Sequence, residues 1–296
     1  MDMVSLRLAN ALVGNRANEA ALECTMTGPI LNIHEAACIA ICGADMRPQL
    51  DGVTLPMNRP VFVPAGSRLA LGTAVAGFRA YVAVAGGFQT PLVLGGRGAY
   101  PAAGLPELTG RALKAGDELP YTPISNLGNE LDTRWYAAPV LPLPDSPIVN
   151  VRVVMGPEWG ELSEASQQAL LNEAFHITSE SNRMGYRLKG ASKLSLTAPM
   201  EMASEAVALG TVQLPPGGEP IVLMADRQTT GGYPRLLNVI AADIPLLAQA
   251  DPGTALRFQL VSLEEAVALY AIQQRELRLR ELMIARRIVE KHGGEQ

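Results

Sequence analysis

Aromatic and charged residues are both scarce in this chain. Its 296 residues include only five Phe and two Trp, and Asp, Glu, Lys and Arg together make up 18%. Hydrophobic residues reach 48%, which excludes an intrinsically disordered chain. By contrast there are 28 Gly and 22 Pro, a composition typical of many short strands joined by tight turns. Because the length suits two domains, we expect two mainly β domains with a few helices.

Positive charge and long apolar runs are also lacking. The formal net charge is −5, and no basic stripe with interleaved aromatic residues is present, so nucleic acid is not expected as a partner. No apolar run reaches membrane-spanning length, and the first residues lack the charged-then-apolar order of a signal peptide. We therefore expect a cytoplasmic protein with no membrane partner.

Cysteine and histidine occur only three times each, at positions that form no metal-ligand pattern. In the strand-like run around Cys38 and Cys42, alternation puts both thiols on one face and Ile39 and Ile41 on the other. Cys24 adds no Cys-x-x-Cys spacing, and the histidines, at 34, 176 and 292, stand far apart. We expect buried thiols, no bound metal and no redox site.

The first 120 residues combine one helix with short strands. Asp2 is a candidate N-cap for a helix over 2–13, which Gly14 and Asn15 would end. Strands are predicted over 22–27, 30–33, 37–41, 61–63, 69–73 and 79–84. This pattern predicts a β-barrel or β-sandwich domain over residues 1–120.

A glycine-rich stretch over residues 85–98 invites comparison with a phosphate-binding loop. It contains neither Gly-x-x-x-x-Gly-Lys-Ser/Thr nor a Gly-x-Gly-x-x-Gly that opens a clear helix. A nucleotide-binding loop is therefore the weaker interpretation and a structural connection the stronger one.

Residues 121–148 are rich in Pro and polar residues and lack periodicity, which predicts a linker. The next block, 149–262, is expected to be a second β domain with short helices over 163–174 and after Asp243. Its strands are predicted over 150–155, 175–178, 186–189, 193–196, 211–214, 221–224, 236–241 and 255–261.

The last segment, residues 263–296, has a helical pattern. Ser262 and Glu265 form a capping box, and helix-forming residues continue to Lys291. Heptad spacing puts one apolar set on a single stripe: Leu263, Val267, Tyr270, Leu277, Ile284 and Ile288. We expect the first half to pack on the second domain and the Arg-rich second half to protrude into solvent. A partner-binding or dimerising helix is the alternative.

Two stretches combine polar side chains with turn-forming glycines. Residues 225–234 follow an apolar run that predicts a buried strand, and residues 179–187 gather a similar polar set around Met184 and Gly185. We expect the two stretches to converge on one pocket for a small polar ligand; a salt-bridged loop beside a hairpin is the plainer alternative. The candidate catalytic residues are Asp226 and Arg227. The candidate substrate-binding residues are Gln228, Thr229, Thr230, Ser181, Asn182, Arg183, Arg187 and Tyr233.

These motifs resemble one known family. The resemblance is carried by residues 181–187, 225–234, 81–87 and 8–15, and it extends to residue 270. They look like the KipA family, also called allophanate hydrolase subunit 2-like, biotin-dependent carboxyltransferase domain-containing, or the C subunit of 5-oxoprolinase. The resemblance implies two linked β-barrel-like subdomains, at least one of them cyclophilin-like. Family members usually carry a further segment with a Gln-Asp-x-Gly-Arg-like stretch ahead of Met1, so the first barrel is expected to lack its first strand.

The resemblance also implies partners and three alternative activities. The partners are a KipI-like B subunit and a third subunit. With them the chain would form an ATP-dependent 5-oxoprolinase, which opens 5-oxo-L-proline to L-glutamate. One alternative is the carboxyltransferase half of a urea carboxylase or allophanate hydrolase system. The other is a non-catalytic, KipA-like regulator that binds a kinase inhibitor.

The candidate residues suit a planar amide or lactam substrate. Asp226 can accept N–H bonds or act as a base, while Arg227, Arg183 or Asn182 can hold a carbonyl oxygen. The sequence has no Gly-x-Ser-x-Gly, no Walker motif and no biotinyl-lysine carrier motif. We therefore expect a non-autonomous enzyme subunit without a covalently bound cofactor, to which partner subunits supply ATP or carboxybiotin chemistry.

Overall fold

The computed structural model describes residues 1–93, 95–100, 104–105, 111–123, 135–144 and 146–292. The chain divides into two compact units, each with its own hydrophobic core. The sheet unit comprises residues 2–143 and 275–296, and the barrel unit comprises residue 1 and residues 144–274. Within the predicted linker, residues 124–134 and 145 lie outside the described residues.

In its described residues up to 143, the sheet unit contains the helix α1 (Met3–Leu12) and eight strands. The strands are β1 (Leu22–Thr25), β2 (Ile30–Asn32), β3 (Ala37–Asp45), β4 (Gln49–Leu50), β5 (Val53–Thr54), β6 (Val61–Val63), β7 (Arg68–Ala70) and β8 (Ala76–Val84). They form two four-stranded sheets with the orders β1-β8-β3-β6 and β2-β7-β4-β5. Neighbouring strands pair antiparallel throughout both sheets.

Strand β3 shows how alternation in the sequence builds core on both faces of its sheet. Cys38 and Cys42 pack in one cluster with α1, whereas Ile39 and Ile41 belong to a second cluster shared with the other sheet. The prediction of buried thiols is confirmed, because all three cysteines are buried and free. Burial raises the pKa of both Cys24 and Cys38 to about 12.

Asp2 caps α1, as the sequence predicts. Its Oδ1 accepts hydrogen bonds from the N–H groups of Val4 at 3.0 Å and Ser5 at 2.9 Å. The Tyr81 hydroxyl accepts the Asp2 N–H at 2.8 Å and donates to the Glu23 carboxylate, also at 2.8 Å. The start of the helix is thereby fixed to β8 and β1.

The described residues of the barrel unit form nine strands, seven of which close into a barrel. In chain order they are β9 (Ile148–Met155), β10 (Phe175–Ile177), β11 (Gly185–Lys189), β12 (Glu205–Ala206), β13 (Thr211–Gln213), β14 (Ile221–Leu223), β15 (Thr230–Gly231), β16 (Arg235–Val239) and β17 (Ala255–Leu260). The barrel order is β10-β11-β14-β13-β16-β9-β17, and β12 pairs only with β15. Strands β9 and β17 are parallel, and the other barrel pairs are antiparallel.

Two short helices, α2 (Glu164–Asn172) and α3 (Ile244–Ala248), accompany the barrel strands. Alternate residues of β9 point into the interior, namely Val149, Val151 and Val153. The predicted fold class is confirmed: the chain is mainly β with few helices, a closed barrel and a long C-terminal helix.

No strand forms over residues 193–196, where the sequence predicts one. The Ser195 N–H donates to the Ser166 hydroxyl at 2.8 Å, and the Leu194 N–H donates to the Gly218 carbonyl at 2.9 Å. Both amides are therefore engaged outside a strand ladder, and this prediction is wrong. A four-residue alternation is too short to distinguish a strand from an extended loop.

The C-terminal helix is α4 (Leu263–His292), and its capping box is confirmed. The Ser262 N–H donates to the Glu265 carboxylate at 2.8 Å, and the Glu265 N–H donates to the Ser262 hydroxyl at 3.1 Å. The first part of α4, to residue 274, belongs to the barrel unit, where Ala266 packs with Ile240 and Ala242. Among the described residues, no helix has both the length and the hydropathy needed to cross a membrane.

The second part of α4 is packed rather than solvated, which corrects the prediction of a protruding helix. Leu277 is 0% exposed, and Ile284 joins the α1 core cluster of the sheet unit. The predicted heptad stripe is correct in this second part, where Leu277 and Ile284 are buried, and wrong in the first part, where Leu263 and Val267 are 65% and 61% exposed. Apolar residues occur on several faces of this helix, so spacing alone did not identify the buried one.

Candidate functional site

The two polar stretches meet at one end of the barrel unit. Strand β11 begins at Gly185 and β14 ends at Leu223, and these two residues are paired in the antiparallel ladder. Beyond them, the Met224 N–H donates to the Met184 carbonyl at 2.9 Å, and the Asp226 N–H donates to the Arg183 carbonyl at 2.8 Å. The two stretches therefore converge as predicted, while the ligand pocket between them stays a prediction.

Arg183 and Asp226 form a bidentate ion pair at this junction. Arg183 Nε donates to Asp226 Oδ2 at 2.8 Å, and Nη2 donates to Oδ1 at 3.1 Å. The Asp226 side chain is 15% exposed. Since both carboxylate oxygens accept bonds from a cation, this geometry favours Asp226 as an orienting group over Asp226 as a free base.

Arg227 stands next to this pair without a carboxylate of its own. Its Nε is buried and has no hydrogen-bond partner, and no ion pair to its guanidinium occurs among the described residues. A guanidinium carries five donors in a planar fork that matches a carboxylate or a carbonyl. Arg227 is therefore the residue of this region best placed to bind an anionic or carbonyl-bearing ligand.

Three other predicted residues lie in the turn that precedes β11 or just within that strand. The Asn182 Oδ1 accepts the Met184 N–H at 2.8 Å, and the Ser181 hydroxyl accepts the Arg187 N–H at 3.0 Å. Arg187 approaches Glu180 only at 3.9 Å, and both side chains are largely exposed. Ser181 and Asn182 thus shape the turn, and Arg187 is held loosely.

The remaining predicted residues follow Arg227 along the chain. The Gln228, Thr229 and Thr230 side chains are exposed, and Thr230 pairs with Ala206 in the β12–β15 ribbon. The Tyr233 ring is half-exposed, and its carbonyl accepts a bond from Gln213 at 3.2 Å. These groups lie on the segment that leads from Asp226 back into the barrel at β16.

Gly231 explains part of the Gly-Gly turn in this segment. A Cβ atom there would lie 2.8 Å from the Gln213 Nε2 and 3.2 Å from the Gln228 Nε2. A larger residue at this position would therefore displace the Gln213 and Gln228 side chains from the turn.

An ion-pair network that the sequence analysis missed lies beside the turn. Arg235 donates to both oxygens of Glu158, at 2.9 Å from Nε and 2.7 Å from Nη2, and also to Glu205 at 2.5 Å. These hydrogen bonds from Arg235 lower the pKa of Glu158, and the same bonds to Glu158 raise the pKa of Arg235. The network joins the 3-10 turn at Trp159–Glu161, strand β16 and the β12–β15 ribbon.

Three glycine amides of the glycine-rich stretch are already hydrogen-bonded within the sheet unit. The N–H of Gly86 donates to the Asn15 side chain at 2.8 Å, and that of Gly87 donates to Val84 at 2.9 Å. The Gly96 N–H is likewise bonded to the Val93 carbonyl. Because these donors are already used, the structural interpretation of this stretch is favoured over a nucleotide loop.

Comparison with known proteins identifies the family. Residues 1–260 match the family model described as carboxyltransferase domain, subdomain A and B. The chain belongs to this carboxyltransferase-domain family. The resemblance drawn from the motifs at 181–187 and 225–234 is thereby confirmed.

The carboxyltransferase-domain chain has relatives in bacteria. It is 40% identical over 281 residues to the 5-oxoprolinase C subunit of Escherichia coli (strain K12), a match that covers 93% of this chain and 86% of the relative. It is 36% identical over 275 residues to the 5-oxoprolinase C subunit of Haemophilus influenzae (strain ATCC 51907 / DSM 11121 / KW20 / Rd), covering 91% of this chain and 84% of the relative.

A larger protein of known structure contains a similar fold. The carboxyltransferase-domain chain matches the Kluyveromyces lactis urea carboxylase with a TM-score of 0.85 and 27% identity. The match covers 95% of this chain but only 26% of that protein. It therefore extends over nearly the whole of this chain and a small part of the carboxylase.

Proposed function

We propose that this chain is the C subunit of an ATP-dependent 5-oxoprolinase, which opens 5-oxo-L-proline to L-glutamate in the cytoplasm. The observation that carries the proposal is the 40% identity to the Escherichia coli 5-oxoprolinase C subunit over 93% of this chain and 86% of the relative. A relationship of this extent includes the barrel unit, and with it both polar stretches.

The chemistry of the candidate site supports a substrate of this class. 5-Oxo-L-proline carries a carboxylate and a lactam with one carbonyl oxygen and one N–H. The guanidinium of Arg227 can donate to either acceptor, while the Arg183–Asp226 pair fixes the backbone from which Arg227 projects. Each charged hydrogen bond to the substrate would contribute about 1.5–3 kcal/mol.

The remaining chemistry is assigned to other subunits. Opening a lactam needs an activated nucleophile or a phosphorylated intermediate, and the sequence carries no nucleophile-elbow or Walker motif. We assign ATP activation to a KipI-like B subunit and a third subunit, and substrate orientation to Arg227 and its neighbours. The chain is thus proposed to be an enzyme subunit that does not work alone.

Reconstitution tests this function. The full chain is combined with a KipI-like partner and the third subunit, and glutamate release from 5-oxoproline is measured with and without ATP. ATP-dependent release is expected, and Arg227→Gln should lower kcat/KM by about 10- to 100-fold, since one charged contact to the substrate is lost. Arg257→Gln, an exposed change on β17, is the matched control and should leave the rate unchanged.

Two results would argue against the proposal. A verified three-subunit complex that releases no glutamate would reject the 5-oxoprolinase function. A fully active Arg227→Gln complex would reject the assigned role of Arg227 while leaving the function in place.

The second candidate function is the carboxyltransferase half of a urea carboxylase system. It is favoured by the similarity in fold to the Kluyveromyces lactis urea carboxylase. The same complex, supplied with urea, bicarbonate, ATP, a biotin carboxylase and a biotinylated carrier protein, would then transfer the carboxyl group from carboxybiotin to urea and leave 5-oxoproline unchanged. The two substrates thus distinguish the two functions directly.

A further inference from the structure

Helix α4 exposes apolar side chains on the part that belongs to the sheet unit. Leu279 and Leu282 are each 50% exposed, and Met283 is 71% exposed, although Leu277 and Ile284 on the same helix are buried. Three large apolar residues within five positions form a patch rather than scattered surface residues. The family match ends at residue 260, so this helix lies beyond the matched carboxyltransferase domain.

Part of the patch forms a regular seam bordered by opposite charges. Glu276, Leu279, Met283 and Arg286 follow each other at spacings of three, four and three residues, and all four are exposed. At 100° per residue they fall within about 80° of the helix circumference, the a/d spacing of a helix that packs against another helix. The two apolar positions lie in the middle, with Glu276 before them and Arg286 after them.

The order of the charges selects a second copy in antiparallel orientation as the occupant. If two copies of α4 cross antiparallel about residue 281, Leu279 faces Met283 of the second copy, and Glu276 faces Arg286 of the second copy. The two-fold axis repeats each contact, so two oppositely charged pairs flank four apolar side chains. A parallel arrangement would instead place Glu276 against Glu276 and Arg286 against Arg286, which is repulsive.

We propose that the surface formed by Glu276, Leu279, Met283 and Arg286, the α4 seam, joins two copies of this chain in a reversible antiparallel dimer. The apolar centre is short, so the dimer is weak and dissociates on dilution. Glu276 now contacts Arg280 at 3.3 Å within its own helix, and Arg286 also has an interaction within its own chain. Both side chains are exposed, so these contacts can be exchanged for the intermolecular ones at little cost.

Charge reversal tests the α4 seam in the full chain. Sedimentation velocity over a dilution series should show a monomer–dimer equilibrium for the wild type. Glu276→Arg and Arg286→Glu should each weaken dimerisation at least about tenfold, because each creates two like-charge contacts across the two-fold axis. The double variant E276R/R286E should return to within about threefold of the wild type, since opposite charges face each other again. Arg257→Glu is the control for reversed charge at an exposed site away from α4.

Leu279→Ser provides a second measurement that does not depend on charge. It removes apolar area at an exposed position, so the monomer should fold with unchanged thermal unfolding while dimerisation is lost. A wild-type chain that stays monomeric throughout the dilution series would overturn the proposal. So would a dimer that the single charge reversals do not weaken, or residues 276–286 that gain hydrogen-exchange protection only when a different protein of the complex is added.

Discussion

At the scale of single residues, the ion pair between Arg183 and Asp226 defines what the candidate site can do. Both oxygens of Asp226 accept bonds from Arg183, so the carboxylate and the guanidinium act as a unit. Arg227, the next residue, keeps a buried Nε without a partner. The two adjacent residues therefore have different roles: Asp226 supports the backbone, and Arg227 is available to a ligand.

A double-mutant cycle separates an orienting Asp226 from a basic one. If Asp226 acts through Arg183, Asp226→Asn and Arg183→Gln should each lower kcat/KM of the assembled enzyme by about tenfold, and the double variant should lose little more. Steady-state kinetics of the three complexes gives the result. A much larger loss for Asp226→Asn than for Arg183→Gln would instead identify Asp226 as the general base.

The ion pair between Glu158 and Arg235 should make the stability of the chain depend on pH. The pKa of Glu158 is lowered in the folded chain by bonds from Arg235, so its stabilising contribution is present above the unfolded pKa and is lost as pH falls through the folded pKa. Glu158→Gln should reduce the free energy of unfolding by about 1–3 kcal/mol at neutral pH, since Arg235 loses a charged acceptor.

Urea denaturation of this variant and of the wild type between about pH 7 and about pH 3 shows whether the stability contributed by Glu158 falls or rises with acidity. The difference from the wild type should shrink as the solution becomes more acidic. Glu161→Gln, an exposed change in the same 3-10 turn, should show neither effect. A difference that grows toward acid pH would contradict the assignment.

The sequence identified this region but not all of its contacts. The polar stretches were recognisable because each combines several polar side chains with glycines at the end of a strand, and their convergence followed from one antiparallel pair of strands. Glu158 and Arg235 are 77 residues apart in the sequence, so no local spacing of residues predicts their contact. Its only signal was the position of Arg235 immediately after the Gly-Gly-Tyr-Pro turn.

At the scale of secondary structure, α4 is the element for which prediction from the sequence was least successful. The capping box gave its start correctly, because that signal depends on neighbouring residues. Its buried face depends on packing that no periodicity encodes uniquely when apolar residues occur all round the helix. By contrast, the alternation of β3 gave both of its faces correctly, because a strand has only two.

Two leucines of α4, assigned to the same stripe by the sequence, should respond differently to truncation. Leu277→Ala should destabilise the chain by about 2–4 kcal/mol, because it empties a buried site. Leu263→Ala makes the same chemical change at an exposed site and should stay within about 0.5 kcal/mol of the wild type. Denaturant unfolding of both variants measures the difference, and equal losses would contradict the packing of α4.

Gly156, which follows β9, lies against the backbone of β16. A Cβ there would lie 2.1 Å from the Arg235 carbonyl oxygen, which is part of the backbone and cannot rotate away. Gly156→Ala should therefore cost about 1–3 kcal/mol of stability. Gly160→Ala, where a Cβ meets nothing within 4 Å, is the matched control, and thermal unfolding of the two variants compares them directly.

At the scale of the whole molecule, the division into two units is not the division that the sequence suggests. Residues 275–296 belong with residues 2–143, although the barrel unit lies between them in the chain. Sequence patterns mark where composition changes along the chain, and they carry no information about which distant segments share a core. The distribution of cysteine follows this division, since all three cysteines belong to the sheet unit.

The rate at which the buried thiols are labelled measures how well the sheet unit is packed when α4 is shortened. With a pKa of about 12, the Cys24 and Cys38 thiolates at about pH 8 are roughly a thousandfold scarcer than those of ordinary cysteines, so native labelling should be slow. A chain that ends at residue 274 lacks Leu277 and Ile284, and its thiols should react with a disulfide reagent at least about tenfold faster. A chain that ends at residue 292 is the control, and equal rates for both would contradict this account.

The discontinuous sheet unit also has a consequence for biosynthesis. A ribosome synthesises residues 2–143 of this unit before the barrel unit, and the segment that carries Ile284 after it. The strands of the sheet unit must therefore persist half-assembled while the intervening barrel unit is synthesised and folds. A stop codon placed directly after residue 274 would consequently destabilise the segment that was synthesised before the barrel unit.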